Sequence, residues 1–442
     1  MHILTYDLRG TVISTGAPKP CRVTGLVTHT HMFLAGLARR YPNARVAVTQ
    51  TGAKNTGAYE LRTPEGQVVL AQGIRTGFPE YLRSADGGKN PERVREFYES
   101  RINEADNPVY LSLARQYAQA VLRAGIPTLL AQNTNPIVGV LKADEFGFLD
   151  STDCMHMTAV VHDTADMERR FAYIRDRMEQ TRITVNLIAV SDAVRRYLVE
   201  QIGIPPHRIR TVRNGIDDIG FLQTVESARR ADVFARVRER NALPSTGRMI
   251  LMSARRVAWK GQADVLDAVA RLVSRGQREF YVAFNGAGLT DTREGWYEGY
   301  LRQRIKDLGL EGTAFLLDEL DNDQFELAAC YGQAYAAVHP SRQPEPFGYT
   351  NIEAMLAGVP LITTAHGAPL EYITPGESGR LVPPENPAAI AEALGQLLND
   401  PQLHSRLADG GYASATRFGL DAMFEGYDQA IRAHFPCRSC HY

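Results

Sequence analysis

Short apolar runs alternate with amphipathic stretches along most of the chain, and this alternation restricts the possible folds more than any other feature. In the first half Ile3–Tyr6 reads as a strand, Met32 to Tyr41 (MFLAGLARRY) as the helix after it, and Ala44–Thr49 as the next strand. Val94–Arg101 and Tyr110–Ala124 have helical spacing. Thr128–Ala131, Met157–Val161 and Leu187–Val190 are continuous apolar runs, as a strand covered on both faces requires. Such alternation predicts α/β architecture with a doubly wound parallel sheet. Gly52 to Lys89 is richer in Gly and polar residues, and reads as strand pairs with a long loop.

Between Asp218 and Gly247 the rhythm weakens, and the charged segment ESARRADVFARVRERNALPSTG intervenes. It resumes at Met249–Met252, Phe280–Asn285, Ala314–Leu317, Ala334–Val338 and Pro360–Thr364, and closes with an amphipathic helix over Leu420–Ala433. A chain of 442 residues exceeds one ordinary core. The expected layout is therefore a first domain over 1–218, a linker over 219–246, a second domain over 247–418, a closing helix over 419–435 and a tail over 436–442.

Acids and bases are interspersed and the formal net charge is −1, so neither nucleic acid nor an anionic membrane surface is an expected partner. The start, MHILTYDLRG, lacks the charged and apolar regions of a secretory signal, and no apolar run reaches bilayer-spanning length. A cytoplasmic location without membrane insertion is expected. Five scattered cysteines do not make a disulfide framework. The tail HFPCRSCHY carries the C-x-x-C-H pattern of haem attachment, and His434, Cys437, Cys440 and His441 are also a zinc-type set. With no export signal and no fold to enclose a haem, the tail reads as mobile thiols.

The densest stretch is 338–361, VHPSRQPEPFGYTNIEAMLAGVPL. An apolar run breaks at His339-Pro340-Ser341, a polar loop carries Glu345, and Gly348 precedes a helix opening at Thr350. Thr350-Asn351-Ile352-Glu353 has the form of a capping box. Gly358 ends the helix and Pro360 begins the next strand. One strand–loop–helix–strand unit aims a helix N-terminus at the crevice beyond the strand ends, where anions bind in such sheets. Taken singly, Glu353 only caps a helix, Glu345 is a solvated loop acid and Gly348 permits a turn.

The whole string P-S-x3-E-P-F-G-x4-E-A-M-x2-G-x-P resembles the E-x7-E signature of the retaining, GT-B-fold glycosyltransferases that use nucleotide sugars (family 4-like). Further along the order, ARRVAWKG resembles that family's G-R-L-x3-K-G element, placing Arg255 and Lys260 on its phosphate-binding positions. Arg256 stands where an apolar residue is usual, so which arginine faces the site is open. Asn285-Gly286-Ala287-Gly288 resembles its G-x-G turn, LIAVSDAVRRYL its A-V-S strand and helix, and Val212 to Asp217 its N-G-I-D turn. Ala314–Leu317 lies where the family's backbone holds the base.

The resemblance implies two Rossmann-like domains facing each other across a cleft, with the C-terminal helix returning to the first. It implies a nucleoside diphosphate sugar, UDP or GDP in type, on the second domain. The base would lie near Leu316–Leu317, the ribose on Glu353, and the diphosphate on Arg255, Lys260 and the amides around Tyr349–Thr350. Gly286 would line the donor site, and Glu345 with the Phe347-Gly348 backbone would hold the sugar hydroxyls. His162, after the strand in AVVHD, matches the family's strand-end His and would orient a hydroxyl; beside it lies Asp163. Neither a metal nor another cofactor is expected, because two cations serve the diphosphate and no D-x-D-like site appears.

The first domain departs from the pattern. CRVTGLVTHTH keeps Gly25 of the family's adjacent glycines, with Thr24 for the other; His29 and His31 follow, and Gln132-Asn133-Thr134-Asn135 stands where a His is common. His29, Asn133 and Asp163 are thus candidate acceptor contacts, although two histidines on a helix more often read as surface. The expected activity is sugar transfer to a small soluble acceptor, in specialised metabolism, with oxygen, nitrogen or sulfur as nucleophile; a homodimer fits the reading. Alternatives are a nucleotide-sugar epimerase or hydrolase on the same fold, or a non-catalytic sugar-nucleotide-binding protein. Donor consumption without acceptor separates the first of these.

Overall fold

The protein's structure, a computed structural model, describes residues 1–6, 29–30, 33–34, 36–37, 40, 46–51, 57–62, 68–74, 82, 90–132, 134–152, 155–165, 167–286, 296–318, 320 and 324–433. The chain divides into two units, one of residues 1–215 with 420–442 and one of residues 216–419.

The first unit holds an eight-stranded sheet: β1 (His2–Tyr6), β2 (Ala47–Thr51), β3 (Gly57–Arg62), β4 (Val68–Ile74), β5 (Thr128–Gln132), β6 (His156–Val161), β7 (Thr184–Ala189) and β8 (Ile209–Thr211). Their order is β3-β4-β2-β1-β5-β6-β7-β8. All neighbours are parallel except the β3–β4 hairpin at the edge, which occupies the Gly-rich stretch. The central strands carry near-unbroken apolar runs because helices cover both faces of a parallel sheet. The helix Pro108–Ala124 shows the local logic. Asn107 caps it by accepting from the Val109 N–H, Tyr110, Leu113, Ala114 and Tyr117 make the buried stripe, and Gly125 ends it at φ 60°.

In the second unit six parallel strands follow: β9 (Arg248–Ser253), β10 (Phe280–Asn285), β11 (Ala314–Leu316), β12 (Ala336–His339), β13 (Leu361–Thr364) and β14 (Arg380–Val382), ordered β11-β10-β9-β12-β13-β14. The chain winds outward from β9 to β11, then restarts at β12 on the other side of β9. This topological switch sets the loops after β9 and β12 side by side at the strand ends. Behind them Ile250, Val265, Leu266, Val269, Leu301 and Leu394 form one continuous core. Leu266→Ala should cost about 2–5 kcal/mol in denaturant unfolding, the range for a fully buried Leu whose cavity does not collapse.

The segment expected as a linker over 219–246 is not one. It forms the helices Asp218–Arg230 and Val233–Arg240 within the second unit. Val225, Ala228 and Val233 bury against Ala328 and Ala329 of the helix Gln324–Gln333, and Arg240 makes a bidentate pair with the buried Glu326. Apolar residues spaced three and five apart suffice for this stripe, although arginines dominate the composition. The helix Leu420–Ala433 is grouped with the first unit, where Phe424 and Tyr427 lie against Phe33. Among the described residues no helix is long and apolar enough to cross a membrane.

Candidate active site

The loop after β9 turns through a short 3-10 helix, Ala258–Lys260, into the helix Gln262–Ser274. Gly261 joins them at φ +85°, and a Cβ there would lie 2.3 Å from the Pro340 carbonyl oxygen of the neighbouring loop. Gly261→Ala should therefore destabilise the protein by about 1–3 kcal/mol, from a left-handed backbone plus a clash, in a thermal unfolding comparison. That close approach brings Lys260 Nζ to 2.6 Å from Glu345 Oε2, which also accepts from Ser341 Oγ at 3.0 Å. The ammonium sits 4.1 Å from the centre of the Trp259 ring. Burial works to raise the Glu345 pKa, but Lys260, Ser341 and His339 more than offset it, so the carboxyl titrates below its usual range.

Arg255 and Arg256 separate clearly. Arg256 is buried: it pairs with Glu298 at 3.0 Å and donates to the carbonyls of Phe284 and Leu317, tying β9 to the ends of β10 and β11. Arg255 is exposed and forms no ion pair with any described residue, its guanidinium lying 6.0 Å from the Trp259 ring. Its backbone carbonyl is held by Gln262 Nε2 at 2.7 Å. Gly286 follows β10 at φ +125°, where a Cβ would lie 2.1 Å from the Ala254 oxygen. Leu317 is buried with its N–H given to the Phe284 carbonyl.

The expected capping box does not form. The helix begins at Tyr349, its N-cap is Gly348 at φ 87°, and no side chain caps it. Glycine alone adopts that backbone freely, and by taking the cap it leaves Thr350 inside the first turn. Glu353 instead accepts from Tyr331 O–H at 3.0 Å, and the same hydroxyl lies 3.3 Å from the Thr350 carbonyl oxygen. Burial raises the Glu353 pKa to about 7, with Tyr331 opposing. Phe347, at 5.1 Å from the Tyr349 ring and 5.7 Å from Phe418, closes the apolar side of the turn.

A guanidinium, an ammonium and an uncapped helix start, with two half-buried carboxyls, are groups suited to a diphosphate with hydroxyls attached. Residues 233–414 match the family model described as glycosyl transferases group 1. The matched residues lie within the second unit. Among curated proteins, a D-inositol 3-phosphate glycosyltransferase of Acidothermus cellulolyticus is 32% identical over 233 residues, 52% of this chain and 49% of that one. A mannosylfructose-phosphate synthase of Agrobacterium fabrum is 27% identical over 266 residues, 58% of this chain and 53% of that one. The chain thus spans about half the length of the curated relatives it matches. Among solved structures, the sucrose-phosphate synthase of Thermosynechococcus elongatus has a TM-score of 0.72 at 18% identity, covering 98% of each chain. Anabaena HepE, in complex with UDP-glucose, has 0.67 at 18%, covering 98% of this chain and 100% of its own. The fold is that of the GT-B glycosyltransferases.

In the first unit the strand ends gather polar side chains. His162, following β6, meets Gln132 Oε1 of β5 at 2.5 Å. Burial, then the neighbouring His29, holds its pKa well below the ordinary value, so it is a neutral imidazole. His29 corrects its expectation: it is fully buried rather than on the surface or open to an acceptor. Its ring stands 4.5 Å from His162, and Tyr427 O–H lies 3.1 Å from its Nε2. Burial lowers its pKa to about 3. The sequence missed this because Tyr427, 398 positions away, supplies the cover. Asp163 closes a local turn by accepting from the Thr164 and Ala165 N–H groups. Gly25, Thr24, His31, Asn133, Ala287, Gly288 and the 434–442 tail lie outside the described residues. Among the described residues no group of three or more His, Cys, Asp or Glu is arranged to hold a metal.

Four residues that the sequence reading passed over also build the pocket. His339, Asn351, Tyr372 and Gly367 stand behind the Glu345–Gly348 loop. His339 and Asn351 lie in the 338–361 stretch, where no site role was given to them, and the only sequence sign of Gly367 and Tyr372 is a Gly and a Pro in HGAPLEY after β13.

Proposed function

We propose that the protein is a retaining glycosyltransferase that moves a sugar from a nucleoside diphosphate sugar to a small soluble acceptor in specialised metabolism, without a metal. The observation that carries this reading is the Lys260–Glu345 contact beside the uncapped start of the Tyr349–Leu356 helix, with Arg255 left exposed and without an ion-pair partner among the described residues. Arg255, Lys260 and that helix start would take the diphosphate, Glu353 the ribose, the end of β11 the base, and Glu345 with Phe347-Gly348 the sugar hydroxyls. As the glycosidic bond breaks, negative charge grows on the phosphate it leaves with, and fixed cations stabilise it where it develops. The acceptor attacks from the face the phosphate leaves, and the phosphate takes the acceptor's proton. No protein base is needed, in keeping with His162 as a neutral group that orients a hydroxyl.

UDP, GDP and ADP are the ligands to screen by thermal shift. The matching diphosphate at a hundredfold excess over its Kd should stabilise the protein by about 2.7 kcal/mol, and three flat responses would remove the reading. Transfer should persist in EDTA, whereas strict metal dependence would contradict the role given to the two cations. Incubation of the donor alone separates transfer from epimerisation or hydrolysis.

A further inference from the structure

Behind the Phe347-Gly348 turn runs a chain of buried hydrogen bonds whose direction is fixed at every step. The Ser253 N–H lies 3.2 Å from His339 Nε2, so that nitrogen is the acceptor and the ring proton sits on Nδ1. Nδ1 lies 2.7 Å from Asn351 Oδ1 and donates to it, which places the Asn351 amide nitrogen on the far side. That nitrogen donates to Tyr372 O–H at 2.8 Å, and the Tyr372 hydroxyl, its lone pair used, donates to the Phe347 carbonyl at 3.0 Å. His339, Asn351 and Tyr372 are each at most 6% exposed. Burial holds His339 neutral, with a pKa of about 4, so its single ring proton stays where the chain needs it.

The same segment grips the loop a second time. Gly367 bridges Glu345, the Ala368 N–H donates to the Glu345 carbonyl at 2.9 Å, and a Cβ on Gly367 would lie 2.5 Å from that carbonyl oxygen. The residues Gly367 to Tyr372 therefore fix both ends of the Glu345–Phe347 loop. A Cβ at Gly348 would meet Asn351 Nδ2 at 2.9 Å and the Tyr372 hydroxyl at 3.0 Å, so this turn is laid directly on the network.

We propose that Tyr372, set by Asn351 and His339, is a positioning residue that fixes the Phe347-Gly348 backbone for the transferred sugar, as distinct from the nucleotide. This rests on the glycosyltransferase reading for its ligand, but the geometry it asserts belongs to the free protein. Tyr372→Phe removes one hydroxyl and keeps the ring against Phe418. Asn351→Asp replaces the donor to Tyr372 with an acceptor, which turns the hydroxyl away from Phe347 without changing shape. Both variants break one bond from two positions, so their effects should not add.

The experiment has two arms. Hydrogen exchange on the free full-length protein reads the amides of 345–350; each variant should speed them by about tenfold, a factor of the size one hydrogen bond supplies, and the double variant no further. Turnover is read with whichever of UDP-, GDP- and ADP-glucose the wild type consumes. It should fall by about tenfold or more in each variant, while the Kd of the matching nucleoside diphosphate stays within about threefold. Wild-type exchange in both variants, additive effects in the double variant, or equal losses in turnover and nucleoside diphosphate affinity would overturn the inference. If the wild type binds none of UDP, GDP and ADP, the functional reading falls and the exchange arm alone decides the positioning chain.

Discussion

Lys260→Ala should lower sugar transfer by roughly two orders of magnitude or more, the loss expected when a fixed charge-stabilising donor is removed. The ammonium needs no rearrangement to serve a departing phosphate, because Glu345 at 2.6 Å and the Trp259 ring at 4.1 Å already hold it in place. The same substitution strands the Glu345 carboxylate, whose low pKa Lys260 does most to maintain against burial. A depressed carboxyl pKa contributes stability that is present above the unfolded value and is lost as the pH falls through the folded one. The thermal deficit of Lys260→Ala should accordingly be widest near neutral pH and shrink in acid, once the carboxyl is protonated in both proteins. Adding Glu345→Gln removes the orphaned charge, so the double variant should regain much of the midpoint while turnover stays low. Recovery of turnover along with stability, or a single variant within tenfold of wild type, would show that the lysine acts on folding alone.

What the sequence made legible and what it hid divide along a physical line. Runs such as Met157–Val161 and Phe280–Asn285 are strands in the structure because burial on both faces leaves no polar alternative. Lys260 and Glu345 were singled out by the resemblance of their strings to a family's motifs, and their meeting depends on the β9–β12 switch, which alternation alone implies only in outline. Three features depended on partners distant in the chain. Thr350-Asn351-Ile352-Glu353 has capping-box composition, but Gly348 holds the cap and Tyr331 takes the carboxylate. Arg256 resembles a second phosphate cation until Glu298 and the Leu317 carbonyl are seen to occupy it. The 219–246 segment is rich in arginine, yet Val225, Ala228 and Val233 suffice to bury two helices once Ala328 and Ala329 are opposite them. Local pattern states what a side chain is able to do, and long-range packing decides which of those options is used.

Nucleoside diphosphate affinity should rise by about tenfold between pH 6 and pH 8, following the Glu353 carboxyl. Ribose hydroxyls donate best to a carboxylate, and with a pKa of about 7 the ionised fraction in the free protein climbs from about a tenth to about nine-tenths over that interval. The sign for stability is opposite. A raised carboxyl pKa means the folded protein binds the proton more tightly than the unfolded chain, so stability falls as the pH rises from about 4.5 through about 7. The shift corresponds to roughly 3 kcal/mol as an upper bound, because Glu353 keeps some solvent contact. Glu353→Gln carries no charge, retains an oxygen for Tyr331, and should melt above wild type at pH 8 while losing both nucleotide affinity and its pH slope. A site that binds better when its host is less stable is one in which folding has been compromised for recognition. Affinity flat across pH 6–8 in the wild type, or a Glu353→Gln variant that binds as tightly as its parent, would take Glu353 out of the proposed nucleotide site and leave it a half-buried partner of Tyr331.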